Sequence, residues 1–218
     1  MQMFLDEAAR MDRHYRYQRH IYDATRTRYL IGRMPMLRQL CPPADGSVLE
    51  VACGTAWNLI RAARLYPDTR LFGIDVSTAM LETAGQAIAR TGLTRRIRIA
   101  QADATVLDTQ RAFAEASFDR VFVSYALSMI PGWRRALAAA ARVVALGGEL
   151  HIVDFGQCEQ LPGVVKRGLE AFLAQYSVAP RADLEVELAE LAADAGLSLS
   201  FERWHRGYTV HAVLRRSR

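Results

Sequence analysis

The sequence from Ser47 to Leu59 constrains the fold of this chain more than any other stretch. It begins with branched apolar residues such as Val48 and Val51, which are typical of a strand covered on both faces. Gly54 then supplies the conformational freedom of a tight turn, and an apolar helical pattern starts after Thr55. A strand, a loop and a helix in this order place free backbone N–H groups at the carboxyl edge of a sheet, where α/β proteins bind nucleotides.

Strands and helices alternate along the rest of the chain. The patterns predict further strands at 70–76, 96–101, 118–124 and 149–155, and helices at 78–90, 107–114, 132–145, 163–175 and 183–195. Two β-rich runs, 197–205 and 208–215, form a hairpin at the end. This order predicts an α/β fold with a doubly wound, mostly parallel sheet of seven strands and an antiparallel last strand.

The segment before the first strand is rich in tyrosine and arginine, and residues 4–31 are predicted to be helical. Each of the two residue types recurs every seven positions: Tyr15, Tyr22, Tyr29, Arg19, Arg26 and Arg33. A helix places them on one stripe. The stripe is either packed on the sheet edge with its hydroxyl groups hydrogen-bonded, or the wall of a binding site. We assign 1–42 to an N-terminal helical cap and 43–218 to the α/β domain.

The charge of the chain is unevenly distributed. The net charge is +5, and arginines outnumber acidic residues between Arg10 and Arg38. Such a segment suits nucleic acid, an anionic membrane surface or an acidic substrate, or is a solvated helix face. The three cysteines fit neither a metal site nor a disulfide framework. With no apolar run as long as a membrane span and no signal peptide pattern, a cytoplasmic protein is expected, with peripheral contact at the inner membrane face as an option.

The turn after the first strand differs from a dinucleotide-binding turn. That fingerprint needs three glycines, whereas this chain has Gly54 between Ala52 and Ala56. Glu50 precedes the turn, and a carboxylate there repels pyrophosphate and favours a ligand that carries positive charge. We therefore expect a nucleotide without phosphate groups.

Two aspartates follow the next strands. Asp75 stands 21 residues after Gly54, at the distance where an acidic residue binds ribose hydroxyls. Asp103 comes just after the third strand and is expected near the base. Either aspartate alone is equally explained as a helix-terminal charge or a turn residue, but together they point to one nucleotide site.

Three motifs resemble the cofactor-binding motifs of the class I S-adenosylmethionine-dependent methyltransferases. They are E-V-A-C-G-T-A (50–56), G-I-D-V-S (73–77) and Q-A-D-A (101–104), and the resemblance covers about residues 46–155. The family usually has glycine where this chain has Ala52 and Ala56, which leaves less room in the loop. The resemblance implies a Rossmann-like methyltransferase fold with S-adenosylmethionine as cofactor and S-adenosylhomocysteine as product.

The resemblance also implies which residues bind the cofactor. In the family the loop at Gly54 lies against the methionine part, Asp75 binds the ribose diol and the segment at Asp103 meets adenine. The full set of predicted cofactor residues is Tyr22, Arg33, Glu50, Ala52, Cys53, Gly54, Thr55, Asn58, Asp75, Val76, Met80, Asp103, Ala104 and Ser124.

A second resemblance suggests the methyl acceptor. Residues 16–33, 124–133 and 153–156 resemble the N-methyltransferase of betaine-lipid synthesis, which methylates the amine of diacylglycerylhomoserine three times. Tyr22 and Tyr125 are the implied catalytic residues. Aromatic faces suit a quaternary ammonium product, and an arginine fork suits the homoserine carboxylate. The predicted substrate-binding residues are Tyr15, Arg19, Arg26, Tyr29, Tyr125 and Arg181.

Other functions stay open at this point. The acceptor is alternatively a soluble small molecule, such as a quinone precursor or an amino compound. A cofactor-binding domain without catalysis is a further alternative, because Ala52 and Ala56 depart from the usual loop. A dinucleotide oxidoreductase is disfavoured by the single glycine and by Glu50. We expect a small-molecule or lipid amine as partner, no nucleic acid and no metal, and the sequence does not determine the oligomeric state.

Overall fold

The computed structural model describes residues 29–175 and 180–218, which form one seven-stranded sheet covered by helices on both faces. The strands are β1 (Ser47–Val51), β2 (Arg70–Asp75), β3 (Ile97–Gln101), β4 (Phe118–Ser124), β5 (Val144–Phe155), β6 (Leu197–Trp204) and β7 (Thr209–Arg216). The helices are α1 (Arg33–Gln39), α2 (Trp57–Leu65), α3 (Thr78–Arg90), α4 (Thr109–Phe113), α5 (Trp133–Arg142), α6 (Gly163–Gln175) and α7 (Leu184–Ala195). Short 3₁₀ turns span Ala104–Val106 and His205–Gly207.

The sheet has the strand order β3-β2-β1-β4-β5-β7-β6. Strands β1 to β5 are parallel, whereas β7 runs antiparallel to both β5 and β6. This confirms the predicted doubly wound sheet and its antiparallel last strand. The chain order reverses between β1 and β4, and a crevice opens at such a switch point beside the carboxyl ends of the strands.

Local sequence accounts for the elements that flank this crevice. All five residues of β1 are buried, as expected for a central strand covered on both faces. Helix α3 starts after Ser77, whose hydroxyl oxygen accepts a hydrogen bond from the Met80 N–H at 3.2 Å, and this caps a free N–H of the first turn.

Strand β5 starts earlier than the sequence predicts. The helix predicted at 132–145 ends at Arg142, and Val144 already pairs with Phe118 of β4. The register between the two strands then shifts before Arg120 pairs with Glu149, with Gly147 in the left-handed region at φ 73°. The prediction was wrong here because two adjacent β-branched residues, Val143 and Val144, and an irregular loop interrupt the alanine-rich helical pattern.

The N-terminal cap is described only in part. The helix predicted at 4–31 lies outside the described residues except for its last positions, and the division at residue 42 stays a prediction. Pro35 lies in the first turn of α1, where the missing N–H has no intrahelical partner to lose. Within the described part of the chain, we find no helix with the length and apolarity needed to cross a membrane.

Gly32 joins this segment to the sheet. Its N–H donates to the Tyr125 hydroxyl oxygen at 3.1 Å. A Cβ atom at Gly32 would lie 2.6 Å from a methyl carbon of Thr209 and 2.6 Å from one of Val153. The chain therefore approaches β5 and β7 more closely than any side chain at position 32 allows.

We predict that Gly32→Ala destabilises the protein by about 1–3 kcal/mol, the usual cost of overpacking a filled site. The matched control is Gly85→Ala within α3, where a Cβ meets no atom within 4 Å and alanine improves helix stability by roughly 0.5–1 kcal/mol. Urea denaturation of both variants checks the prediction, and equal stability gains in both would contradict it.

Candidate functional site

A pocket opens at the carboxyl edge of the sheet, next to the switch point between β1 and β4. It contains about 980 Å³ of empty space, counting its open mouth. Thirteen of the predicted cofactor residues line it: Arg33, Glu50, Ala52, Cys53, Gly54, Thr55, Asn58, Asp75, Val76, Met80, Asp103, Ala104 and Ser124. Tyr22 lies outside the described residues. The structure thus brings together residues from five separate stretches of sequence.

The loop between β1 and α2 has an unusual backbone. Ala52, Gly54 and Ala56 all lie in the left-handed region, at φ 60°, 54° and 62°. Glycine adopts this conformation freely, whereas alanine is disfavoured there by roughly 1–2 kcal/mol. The two alanines therefore restrict the loop through backbone conformation, and not only through the space that the sequence predicted they would occupy.

Glu50 is a buried acid with a strongly raised pKa. The residue is buried with 1% exposure, and one carboxylate oxygen accepts a hydrogen bond from the Asn58 amide at 2.6 Å. Burial raises the pKa of Glu50 to about 8, against the smaller lowering effects of the Asn58 hydrogen bond and the charge of Arg33. Below that pH the empty pocket holds Glu50 mainly as a neutral acid.

Two buried acceptors in this region have no hydrogen-bond partner among the described residues. They are the second oxygen, Oε2, of Glu50 and the amide oxygen of Asn58. A buried acceptor without a partner is unfavourable by about 1–3 kcal/mol. An ammonium or other cationic donor bound in the pocket would satisfy both atoms.

Arg33 and Trp57 line the pocket near Glu50. The Arg33 side chain is 6% exposed, and its guanidinium carbon lies 4.0 Å from the centre of the Trp57 ring. The Arg61 guanidinium lies 3.5 Å from the same ring centre. Contact with the aromatic face holds both cations in place. The pocket therefore offers a guanidinium and a carboxyl group side by side, which matches a ligand with a carboxylate and an ammonium group.

Asp75 and Asp103 order the loops at the ends of β2 and β3. The two Asp75 oxygens accept hydrogen bonds from the Gly54 N–H at 2.8 Å and the Ser77 N–H at 2.9 Å. Asp103 accepts from the Thr105 N–H at 2.7 Å. Both carboxylates line the pocket, so each can also accept hydrogen bonds from hydroxyl or amino groups of a ligand.

Tyr125 follows β4 and lines the pocket from the other side. Its backbone is left-handed at φ 52°, which directs the chain sharply away from the strand. The hydroxyl group lies 3.1 Å from the Thr209 hydroxyl and accepts the Gly32 N–H. Burial raises the pKa of Tyr125 to about 12. The group is therefore neutral at physiological pH, and its hydrogen bonds orient it between Gly32 and Thr209. Its predicted catalytic role stays a prediction.

Three further aromatic residues pack behind Tyr125. The Phe155 ring meets the Tyr125 ring edge to face at 4.7 Å between centroids, and it also contacts Tyr29 and Tyr208. The Tyr208 hydroxyl donates to the Tyr29 carbonyl oxygen at 2.9 Å. This cluster joins the segment before α1 to β5 and β7, and only Tyr125 of the four also lines the pocket.

The loop after Tyr125 is held by a buried aspartate and a half-buried arginine. Asp154 accepts a hydrogen bond from the Leu127 N–H at 3.1 Å, and burial raises its pKa to about 6. Arg181 donates to the carbonyl oxygens of Leu127, Ser128 and Ile130 at 3.1 to 3.4 Å. These contacts bind backbone N–H and C=O groups of the 127–130 loop and so hold its position. Part of this loop lines the pocket.

The structure places the predicted substrate residues differently. Tyr15, Arg19 and Arg26 lie outside the described residues, so their roles stay predictions. Tyr29 packs on Phe155 and does not line the pocket. Arg181 does not line the pocket, because its guanidinium is directed to the carbonyl groups just described. We therefore assign Arg181 a positioning role in place of the predicted substrate contact.

Sequence reasoning missed several residues of the site. The pocket also includes Leu30, Trp57, Ile74, Ala102, Ala126, Met129, Ile130 and Pro131. Most of these are apolar and resemble core residues in the sequence. Tyr208 was missed too, although its position at the start of the antiparallel last strand places it at the same sheet edge as Tyr125.

Comparison with known proteins gives matches that include the pocket. Residues 48–148 match the family model described as "Methyltransferase domain". A demethylmenaquinone methyltransferase of Listeria monocytogenes is 30% identical over 118 residues, which are 54% of this chain and 47% of that protein. The chain thus spans about half the length of this and similar Listeria relatives. The demethylmenaquinone methyltransferase of Porphyromonas gingivalis is 27% identical over 215 residues, 92% of this chain and 85% of that protein.

A solved structure shows the same fold. Phosphoethanolamine N-methyltransferase 2 of Haemonchus contortus, in complex with S-adenosyl-L-methionine, superposes with a TM-score of 0.67 at 16% identity. The match covers 85% of this chain and 52% of that chain. At such low identity the likeness establishes the fold and nothing finer.

We predict that Ala52→Gly stabilises the protein by about 0.5–1 kcal/mol. Glycine removes the left-handed penalty of roughly 1–2 kcal/mol, and the more flexible unfolded chain offsets part of the gain. The control is Ala89→Gly on the exposed face of α3, which should cost about 1 kcal/mol. Thermal and urea unfolding measure both, and a loss of stability in Ala52→Gly would refute the strained-loop interpretation.

Glu50→Gln should stabilise the ligand-free protein increasingly as the pH rises. The folded pKa of Glu50 is about 8, above its ordinary value of 4.5. The unfolded chain therefore ionises first, and stability present below pH 4.5 is lost as the pH rises towards 8. The loss is about 1.4 kcal/mol per pH unit, on the order of 4 kcal/mol in total, and glutamine does not incur it.

Urea denaturation of the wild type and Glu50→Gln at pH 5 and pH 8.5 measures this difference. Glu149→Gln is the matched control of opposite sign, because hydrogen bonding to His151 lowers the pKa of Glu149 to about 2. That variant should lose stability at neutral pH. Parallel stability curves for Glu50→Gln and the wild type would show that the carboxyl group is not strained by burial.

Proposed function

Because this chain belongs to the class I S-adenosylmethionine-dependent methyltransferases, we propose that it methylates the amine of diacylglycerylhomoserine to the trimethylated betaine lipid. The observation that carries the proposal is the lack of charge on the part of the pocket wall that follows β4, which we call the acceptor wall. There Tyr125, Ala126, Met129, Ile130 and Pro131 line the pocket, and none of these side chains carries a charge.

The other end of the pocket fits the cofactor. Glu50 and Asn58 supply buried acceptors for an ammonium group, and Arg33 supplies a guanidinium for a carboxylate. Asp75 would bind the ribose hydroxyls, and Asp103 the adenine end. When bound, S-adenosylmethionine supplies a methyl group attached to a positively charged sulfur. The unpartnered oxygens of Glu50 and Asn58 are the structural reason for this assignment.

An apolar acceptor site promotes methylation of an amine. An ammonium ion has no free electron pair, so the amine must lose a proton before it attacks. Burial among apolar groups disfavours the charged form and lowers the amine pKa, which raises the fraction of neutral nucleophile. The same wall excludes water and holds the amine in line for transfer. Aromatic faces, of which Tyr125 provides one, then stabilise a product without N–H groups.

Sequence similarity supports an amine and a lipid as acceptor. The stretch 16–33 and the loop 124–133 resemble the betaine-lipid N-methyltransferase over both the cap and the acceptor wall. Within this proposal Arg19 and Arg26 bind the homoserine carboxylate, and Tyr22 contacts the cofactor.

A second candidate is methylation of a quinone precursor. The curated relatives from Listeria and Porphyromonas are named demethylmenaquinone methyltransferases, and an apolar wall also suits a quinone ring. The two candidates differ in the nucleophile, which is an amine nitrogen in one and a ring carbon in the other.

Mass spectrometry of the lipid product tests the proposal. Purified protein is incubated with S-adenosylmethionine and diacylglycerylhomoserine in detergent micelles, and reduced demethylmenaquinone is offered in a parallel reaction. We expect three successive mass gains of one methylene unit each on the lipid headgroup. Asp75→Ala should lower turnover by about a hundredfold, since each charge-assisted hydrogen bond contributes roughly 1.5–3 kcal/mol. Methylation of the quinone with no mass gain on the lipid would overturn the amine assignment.

A further inference from the structure

We propose that the first turn of α6, together with the turn at 205–207, docks on an anionic lipid bilayer and holds the pocket mouth at its surface. The inference deepens the proposed function and takes its purpose from the lipid substrate. Its evidence is separate, because it concerns a surface that lies outside the pocket lining.

The outward side of α6 is apolar at its start. Val164 is 74% exposed and Val165 is 48% exposed. Among the large hydrophobic side chains exposed in the described part of the chain, these two are adjacent in sequence while the others are isolated. A Cβ atom built at Gly168, one turn further on, meets nothing within 4 Å. Single exposed apolar residues are common, but a paired apolar turn with open space beside it marks a contact surface.

The opposite side of α6 is anchored to the protein. Leu173 is 2% exposed, and Leu161 and Leu169 pack against the core that also contains Phe155. This packing determines the rotation of the helix, so the two valines point outward as a consequence of the fold. They are available to a partner without any rearrangement of the core.

Basic residues surround the exposed valines. Arg167 is exposed on the same turn, and Lys166 is half-buried beside it. His205 and Arg206 are exposed on the neighbouring turn. The loop that leads into α6 is joined to this turn, because the Cys158 N–H donates to the Gly207 carbonyl oxygen at 2.9 Å.

Two acidic residues near this surface share one cation. Glu159 and Glu185 both form ion pairs with Arg203, which leaves one negative charge among these three side chains, against the positive charges of Lys166, Arg167 and Arg206. The surface therefore combines projecting apolar side chains with positive charge, which is the combination that binds the interface of an anionic bilayer. Charge complementarity favours anionic headgroups over a second copy of this positively charged surface.

The position of the surface relative to the pocket suits a lipid substrate. Helix α6 follows the carboxyl end of β5, where Phe155 contacts the pocket residue Tyr125 with ring centroids 4.7 Å apart. The valines thus lie at the sheet edge that carries the pocket. Leu146, which is 77% exposed, lies towards the amino end of β5, at the other edge of the sheet.

Vesicle flotation tests the docking surface with the full chain. The vesicles are an equimolar mixture of phosphatidylglycerol and phosphatidylcholine, with pure phosphatidylcholine as the neutral comparison. We expect the wild type to float with the anionic vesicles at low salt. The double variant Val164→Glu, Val165→Glu should bind at least about tenfold more weakly, and Arg167→Glu about fivefold more weakly. Leu146→Glu is the matched control and should bind as the wild type does.

Two further measurements separate this inference from the proposed function. Calorimetry with S-adenosylhomocysteine should give the same affinity for the double variant and the wild type, which shows that the pocket is intact. Turnover on a lipid in detergent micelles should likewise be unchanged, while turnover on the same lipid in vesicles falls.

Equal vesicle binding by the double variant and the wild type would overturn the docking surface and leave the proposed function standing. A wild type that stays unbound would overturn it as well. If light scattering shows a dimer that the double variant loses, the valines are a self-association surface and the bilayer assignment is wrong. Absence of lipid methylation in micelles would reject the proposed function while the flotation result stands by itself.

Discussion

The buried carboxyl group of Glu50 is the constraint around which the pocket is organised. It stands in a central strand with 1% exposure, beside Arg33 and Asn58. A carboxyl group in such a position is unfavourable in the empty protein, because burial disfavours its ionised form and one oxygen has no partner among the described residues. A cationic ligand group reverses both effects. The ligand-free fold thus keeps a buried carboxyl group without a cationic partner at the place where the cofactor would bind. This arrangement lowers the stability of the ligand-free protein.

The two loops on either side of this group are rigid for different reasons. The loop after β1 takes its shape from left-handed positions, at which Ala52 and Ala56 replace the more permissive glycine. The loop after Tyr125 takes its shape from Asp154 and from Arg181, whose charges bind backbone donors and acceptors. A methyl transfer depends on holding two reactants in line, and both loops present backbone that has little freedom to move.

The acceptor side connects the pocket to the rest of the sheet edge. Tyr125 binds the Gly32 N–H and packs on Phe155, so the segment before α1, the end of β5 and the loop after β4 form one unit. Helix α6 begins a few residues beyond Phe155 with exposed valines. Under the proposed function, a lipid headgroup that reaches the pocket from a bilayer would pass this edge, and the uncharged pocket wall after β4 and the exposed valines of α6 would serve the same class of substrate.

The sequence by itself determined the sheet, because the periods of apolar residues and the turn signals in each βα unit are local properties. It also predicted that Glu50, Asp75 and Asp103 line one pocket, since they stand at the carboxyl ends of successive parallel strands, which meet at one edge of the sheet. Only the tertiary structure decided the features that depend on contacts between residues far apart in the sequence. Arg181 donates hydrogen bonds to the carbonyl groups of the 127–130 loop, and Tyr208 packs in the aromatic cluster. Burial keeps Glu50 mainly in its neutral form. None of these follows from local pattern, because each results from burial and contacts between residues far apart in the chain.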